Sequence, residues 1–166
     1  TYLVNNNGVL TVDGTNGAAG LAGVTYREIS GVDINNDGTV DIVQHTNRNG
    51  AYALSVVSNN GTGTLTETQV LANVFVPNAA NATTAVSMTW ADFNGDGYMD
   101  LYLATSRNSG SATNYGGVIY YNDGTGNLLS STTQVETATT NASAGGYLSA
   151  AVDWDGDGDM DIIKFS

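Results

Sequence analysis

Short runs of alternating apolar and polar residues fill this chain, and turn-forming clusters separate them. "YREISGVD", "VDIVQHT", "AYALSVVSN" and "TLTETQVLA" follow one another between Tyr26 and Ala72. "MTWADF", "MDLYLATS", "GGVIYYN" and "NLLSSTTQVE" do the same between Met88 and Glu136. Period-two alternation bounded by Gly, Asn and Asp predicts β-strands, and short links between them predict antiparallel pairing. That gives four strands per unit. The chain opens on two more strand-like runs, "YLVNNN" and "VLTV", and closes on "YLSAAVDW" and "MDIIKFS". Numbered within a unit, it begins with strands 3 and 4 and ends with strands 1 and 2. No helical periodicity stands out. "NAANATTAV" (78–86) is expected to be a loop, because Asn and Thr compete with the backbone for hydrogen bonds.

The turns repeat as well. Acidic loops begin at Asp33, Asp92 and Asp153, a period near 60 residues. Self-similarity at a fixed period of this size marks a repeat architecture. "SNNGTGTLTE" and "YNDGTGNLLS" share the pattern N-[ND]-G-T-G-x-L, and "VNNNGVLTV" is a shortened copy. Asn-Gly and Asp-Gly between apolar alternations are hairpin-turn signals, because both residues tolerate positive φ. The predicted fold is all-β, built of β-propeller blades of four antiparallel strands. There are about three blade equivalents, ordered half, two whole, half. They form a single repeat domain over 1–166, with units of roughly 1–44, 45–103 and 104–166.

Composition sharpens this picture. Gly numbers 21 and Pro 1, which suits many tight turns between strands. The formal charge is −12, from 16 acids against 4 bases. Nucleic acid and anionic membrane surfaces both call for clustered Lys and Arg, so neither is an expected partner. No apolar run approaches the roughly 18 residues of a membrane-spanning helix, so no membrane insertion is expected. Cys is absent, which excludes disulfides and thiolate metal sites. The chain starts on Thr and is expected to be processed or a piece of something longer.

The acids concentrate in the three loops, each of which fits D-x-[DN]-x-D-G-x-x-D. Positions 1, 3, 5 and 9 are Asp33, Asn35, Asp37 and Asp41, then Asp92, Asn94, Asp96 and Asp100, then Asp153, Asp155, Asp157 and Asp161. Several oxygens on a flexible loop suit a hard cation, and calcium better than magnesium. Position 7 (Thr39, Tyr98 and Asp159) is expected to offer its backbone carbonyl, and Gly at position 6 permits the turn. An EF-hand would need Glu at position 12 and flanking helices. Gln44, Leu103 and Lys164 stand there instead. Each loop therefore belongs in the strand 1–2 hairpin, with about three Ca²⁺ ions in all. Acidic surface turns without an ion are the bland alternative, which three copies in register with a structural repeat disfavour.

These loops, followed by "DIV", "DLYL" and "DII", together with the "NNGTGTL" and "NDGTGNL" hairpins, resemble the FG-GAP/VCBS repeat family. That family includes the integrin alpha-like calcium-binding propeller blades and many bacterial surface proteins. The Phe-Gly and Gly-Ala-Pro signatures are absent, so the likeness is nearer the bacterial VCBS type. The resemblance implies a calcium-stabilised extracellular module with a structural or adhesive role in cell-surface or matrix attachment. Its implied partners are the rest of a longer propeller or other copies of itself, assembled head to tail, and a glycan or cell-surface protein. The alternative is a propeller-type lectin, for which nine Tyr and two Trp supply stacking surfaces. Trp90 and Trp154 are expected to pack between units. An enzyme is not expected: His45 is the one His, and no nucleophile motif stands near it.

Overall fold

The computed structural model describes residues 2–13, 25–48, 51–62, 64–72, 74, 85–105, 117–134 and 148–165. Every regular element among them is a strand: β1 (Tyr2–Asn6), β2 (Val9–Asp13), β3 (Thr25–Val32), β4 (Asp41–Arg48), β5 (Ala51–Asn59), β6 (Leu65–Ala72), β7 (Ala85–Ala91), β8 (Asp100–Thr105), β9 (Val118–Asn122), β10 (Leu128–Gln134), β11 (Leu148–Val152) and β12 (Asp161–Phe165). Of the loop expected at 78–86, residues 78–84 lie outside the described residues, and Ala85 and Val86 open β7.

All pairing is antiparallel between chain neighbours. β3-β4-β5-β6 and β7-β8-β9-β10 are four-stranded sheets, while β1-β2 and β11-β12 are pairs. The all-β character and the four-stranded antiparallel sheets agree with the alternation in the sequence. Alternation is clearest in β6, where every second residue from Leu65 is half-buried and the others are exposed. β8 differs, because Leu101 to Ala104 are all buried. Its odd and even side chains enter separate cores. Leu101 and Leu103 join Ile34, Val43, Leu54, Val56, Val118, Tyr120 and Leu128 between the two large sheets. Tyr102 and Ala104 join Ile119, with Ile162 of β12 packed against them. The middle sheet is therefore sandwiched on both faces, and this burial drives the stacking.

First strands meet first strands: β3 lies against β7, and β7 against β11. Polar side chains make these seams. Glu28 Oε1 accepts the Met88 N–H at 2.9 Å, and the Trp90 indole N–H donates to Ser30 Oγ at 2.9 Å. The hydroxyls of Thr89 and Ser149 lie 2.6 Å apart, and those of Ser87 and Ser149 3.2 Å apart. At the outer edge, the Gln69 amide donates to Leu128 O at 2.8 Å and accepts Leu128 N–H at 2.9 Å. Sheets stacked face to face with their first strands together give a propeller-like arrangement.

Candidate metal centres

The three acidic loops join first to second strands at one shared register. Val32 pairs with Asp41, Ala91 with Asp100 and Val152 with Asp161. The first and ninth loop residues are thus brought to the strand ends. The turn itself is made at positive φ. Gly38, Gly97 and Gly158 sit at 85°, 87° and 98°, where a Cβ would be strained. Position 4 is also left-handed, at 57° in Asn36, 75° in Gly95 and 77° in Gly156. Asn tolerates this region better than most residues. The Asn36 amide also donates to Gly97 O at 2.9 Å, which ties the first loop to the second.

Inside each loop the same bonds recur. Asp33, Asp92 and Asp153 accept the N–H of position 5 on one oxygen, each at 3.1 Å. Their other oxygen accepts the Gly N–H of position 6 at 2.9, 2.8 and 3.1 Å. Position 3 (Asn35, Asn94, Asp155) accepts the N–H of position 5 at 3.0, 2.9 and 3.2 Å. Position 5 (Asp37, Asp96, Asp157) accepts the N–H of Thr39, Tyr98 and Asp159 at 2.8, 2.9 and 2.9 Å. The Thr39 hydroxyl sits between Asp37 Oδ1 and Asn59 O, donating to one at a time. That hydroxyl, the Thr39 N–H and the Asn35 amide hold the Asp37 carboxyl below its ordinary range. A carboxylate has about four lone-pair sites, so each keeps acceptor capacity for a cation.

Position 9 reaches beyond its own loop. Asp41 Oδ2 accepts the Ile34 N–H at 3.3 Å, and its Oδ1 accepts the Asn59 N–H at 2.7 Å. Asp100 repeats this with Phe93 at 3.0 Å and Asn122 at 2.8 Å. Both carboxylates are fully buried. Burial raises their proton affinity, the two N–H donors offset part of that, and the acids at positions 1 and 5 add to it. Each Asp thereby fastens its loop to the hairpin that ends the third strand. Asp161 accepts the Trp154 N–H at 3.0 Å but is exposed.

Among the described residues, the third loop alone brings three carboxylates close together. Oxygens of Asp153, Asp155 and Asp161 all lie within 4.8 Å of one another. Two oxygens each 2.3–2.6 Å from one calcium ion are at most about 5 Å apart, so one cation can span this group. The first two loops carry Asn35 and Asn94 at position 3, so their donor sets mix carboxylate with amide oxygen. All three sets are oxygen-only, which suits hard divalent cations.

Asn59 and Asn122 belong to this site, although the acidic pattern does not contain them. Asn122 Nδ2 donates to Ile34 O at 2.7 Å and to Met99 O at 3.2 Å. Its Oδ1 accepts Gly124 N–H at 3.0 Å and Gly126 N–H at 3.3 Å. Asn59 Nδ2 donates to Val40 O at 3.2 Å. Both are the first Asn of N-[ND]-G-T-G-x-L, so the hairpin signature marks them. His45 is buried and stacks on Tyr52 with ring centroids 5.4 Å apart. Trp90 packs between sheets as expected, whereas Trp154 is 75 % exposed.

A family model described as FG-GAP-like repeat matches residues 33–103 and 105–163. No curated protein and no solved structure matches the chain. Both matched stretches carry the loop and hairpin elements described above, and together they span most of the sequence: the chain belongs to the FG-GAP-like repeat family.

Proposed function

We infer that this chain is a calcium-stabilised β-propeller module of about three blade equivalents, with one calcium loop in each strand 1–2 hairpin. Its role is structural or adhesive, in attachment at a cell surface or matrix. The observation that carries this reading is the recurrence of one oxygen arrangement in three loops at one strand register. Calcium is favoured over magnesium because each loop offers several oxygens from side chains and backbone, matching the larger oxygen count that calcium takes. Three divalent ions would halve the formal charge of −12. Extracellular calcium is millimolar and matches the weak affinity class of such modules, so the setting is extracellular. The partners are other copies of the chain or the rest of a longer propeller, with a glycan or cell-surface protein as the ligand. The buried, stacked His45 offers no base to a substrate, so no catalysis is assigned. Calorimetric titration with Ca²⁺ and Mg²⁺ tests this. Three sites preferring calcium, with Kd of order 10⁻⁴–10⁻³ M, are expected, and an absence of binding would refute the reading.

A lectin is the second reading, favoured by one observation. Trp154 stands exposed beside a cleft of about 450 Å³ that it lines with Asp155, Asp161, Ile162 and Ile163. An aromatic face next to carboxylates suits a sugar ring. Saccharide titration followed by Trp fluorescence checks it, and a spectrum unmoved by every sugar excludes it.

A further inference from the structure

The first two loops touch each other through one peptide group. The amide between Gly97 and Tyr98 donates its N–H to Asp96 Oδ1 at 2.9 Å, and its carbonyl accepts Asn36 Nδ2 at 2.9 Å. Asp96 is position 5 of the second loop. Asn36 is position 4 of the first, between Asn35 and Asp37. Two hydrogen bonds in series thus join an expected ligand of one loop to the backbone that carries two expected ligands of the other. Bonds linked through a shared amide polarise one another.

A second chain of bonds, deeper in the protein, fixes the spacing of these loops. Asp100 Oδ1 accepts the Asn122 N–H, Asn122 Nδ2 donates to Ile34 O, and the Ile34 N–H donates to Asp41 Oδ2. Asp41 and Asp100 are the ninth residues of their loops, and all four residues are buried. Gly126 tightens the fit, since a Cβ there would stand 2.8 Å from the Asn35 Cβ. One loop therefore cannot shift without the other.

Asn36 departs from the pattern of its counterparts. Position 4 of the other two loops is Gly, at φ 75° and 77°, whereas Asn36 holds φ 57° with a side chain. Gly would adopt this turn with less strain. The bond to Gly97 O gives the Asn side chain its use. Gly95, at position 4 of the second loop, has no side chain to make the same bond toward the third.

We propose that Asn36 couples the first two loops, so that calcium bound in either raises the affinity of the other. The coupling deepens the calcium reading and rests on it. An ion in the second loop fixes Asp96, and with it the Gly97–Tyr98 amide. That amide holds Asn36 in its left-handed turn, with Asn35 and Asp37 in place. The first loop then loses less conformational freedom when its own ion arrives. By linkage the effect is equal in both directions. Charge acts the other way, because a filled loop attracts a second cation less, and salt screens that repulsion.

The test is nuclear magnetic resonance of the whole chain during addition of Ca²⁺, in about 0.3 M salt to screen charge effects between loops. The N–H groups of Gly38, Gly97 and Gly158 each bond to position 1 of their own loop, so their signals report the three loops separately. Asp96→Asn weakens the second loop, and the first is then expected to need on the order of five-fold more calcium. Asp37→Asn is expected to weaken the second loop by the same factor. Asn36→Gly supplies the residue that the other loops use at this turn, and is expected to bring both factors below about two. The third loop is expected to shift by less than about two-fold throughout. Factors below about two in the presence of Asn36, an effect that survives Asn36→Gly, or an equal shift of the third loop overturns the proposal. Loops that fill with calcium independently sink the coupling alone. Glycine signals that never respond to calcium sink the reading beneath it.

Discussion

Asp100 Oδ1 accepts the backbone N–H of Asn122 at 2.8 Å while Oδ2 accepts that of Phe93 at 3.0 Å. One buried side chain thereby joins a loop to a hairpin 22 residues away. Asp100→Asn leaves one of these N–H groups facing an amide that cannot accept. In EGTA and at low protein concentration, the loss of stability is expected to be about 2–3 kcal/mol. Asp161→Asn removes an exposed group with one such bond and is expected to cost less than about 1 kcal/mol. Urea denaturation of the two variants decides it, and equal losses would contradict the bridging role.

The calcium reading predicts that chelation acts on all three loops together. With Kd near 10⁻⁴ M, millimolar calcium stabilises by roughly 1–2 kcal/mol per site. Transfer into EGTA is then expected to lower Tm by on the order of 10 °C for a chain of this size. Differential scanning calorimetry measures this directly. Readdition of calcium should restore the transition further than magnesium does.

Glu28 gives a pH dependence away from the loops. Burial holds its carboxyl above the ordinary 4.5, against the weaker pull of the Met88 N–H. Its Oε2 is buried without a hydrogen-bond partner among the described residues. As pH rises past 4.5, the unfolded chain releases this proton before the folded one, so stability falls through the folded pKa. Glu28→Gln keeps an acceptor for Met88 and carries no charge. Its Tm is expected to exceed that of the unsubstituted chain at pH 7, with the difference closing below pH 4.5. A constant difference across that range would rule the mechanism out.

Gly126 lies at φ 89°, and a Cβ there would stand 2.8 Å from the Asn35 Cβ of the neighbouring sheet. Gly126→Ala is expected to cost more than about 2 kcal/mol, because backbone strain and an inter-sheet clash combine. Gly95→Ala meets strain alone, since nothing lies within 4 Å of its Cβ. Its expected cost is about 1 kcal/mol. Paired denaturation curves test the contrast.

The hairpins and acidic loops were legible because turn chemistry is local. Asn7-Gly8 and Gly38 announce their positive φ within a few residues. The contacts between sheets were legible only in outline. Glu28 to Met88, Ser30 to Trp90 and Thr89 to Ser149 are each 60 residues apart, and Asn36 to Gly97 are 61 apart. The repeat period therefore says which units touch, while the atoms that meet depend on how two sheets seat. The bridging role of Asp41 and Asp100 was hidden for the same reason. A carboxylate in a metal-loop pattern looks complete without its hairpin N–H. Trp90 and Trp154 looked equivalent in sequence, yet among the described residues Trp90 packs against a core between sheets and Trp154 is exposed.

The seams between first strands are written in different residues. β7 meets β3 through Met88 with Glu28 and Trp90 with Ser30, but meets β11 through Ser87 and Thr89 with Ser149. A unit lifted from one place would find no matching donors in another. Repeats that share a fold are thus not interchangeable parts, and the chain encodes the order of its units as well as their shape.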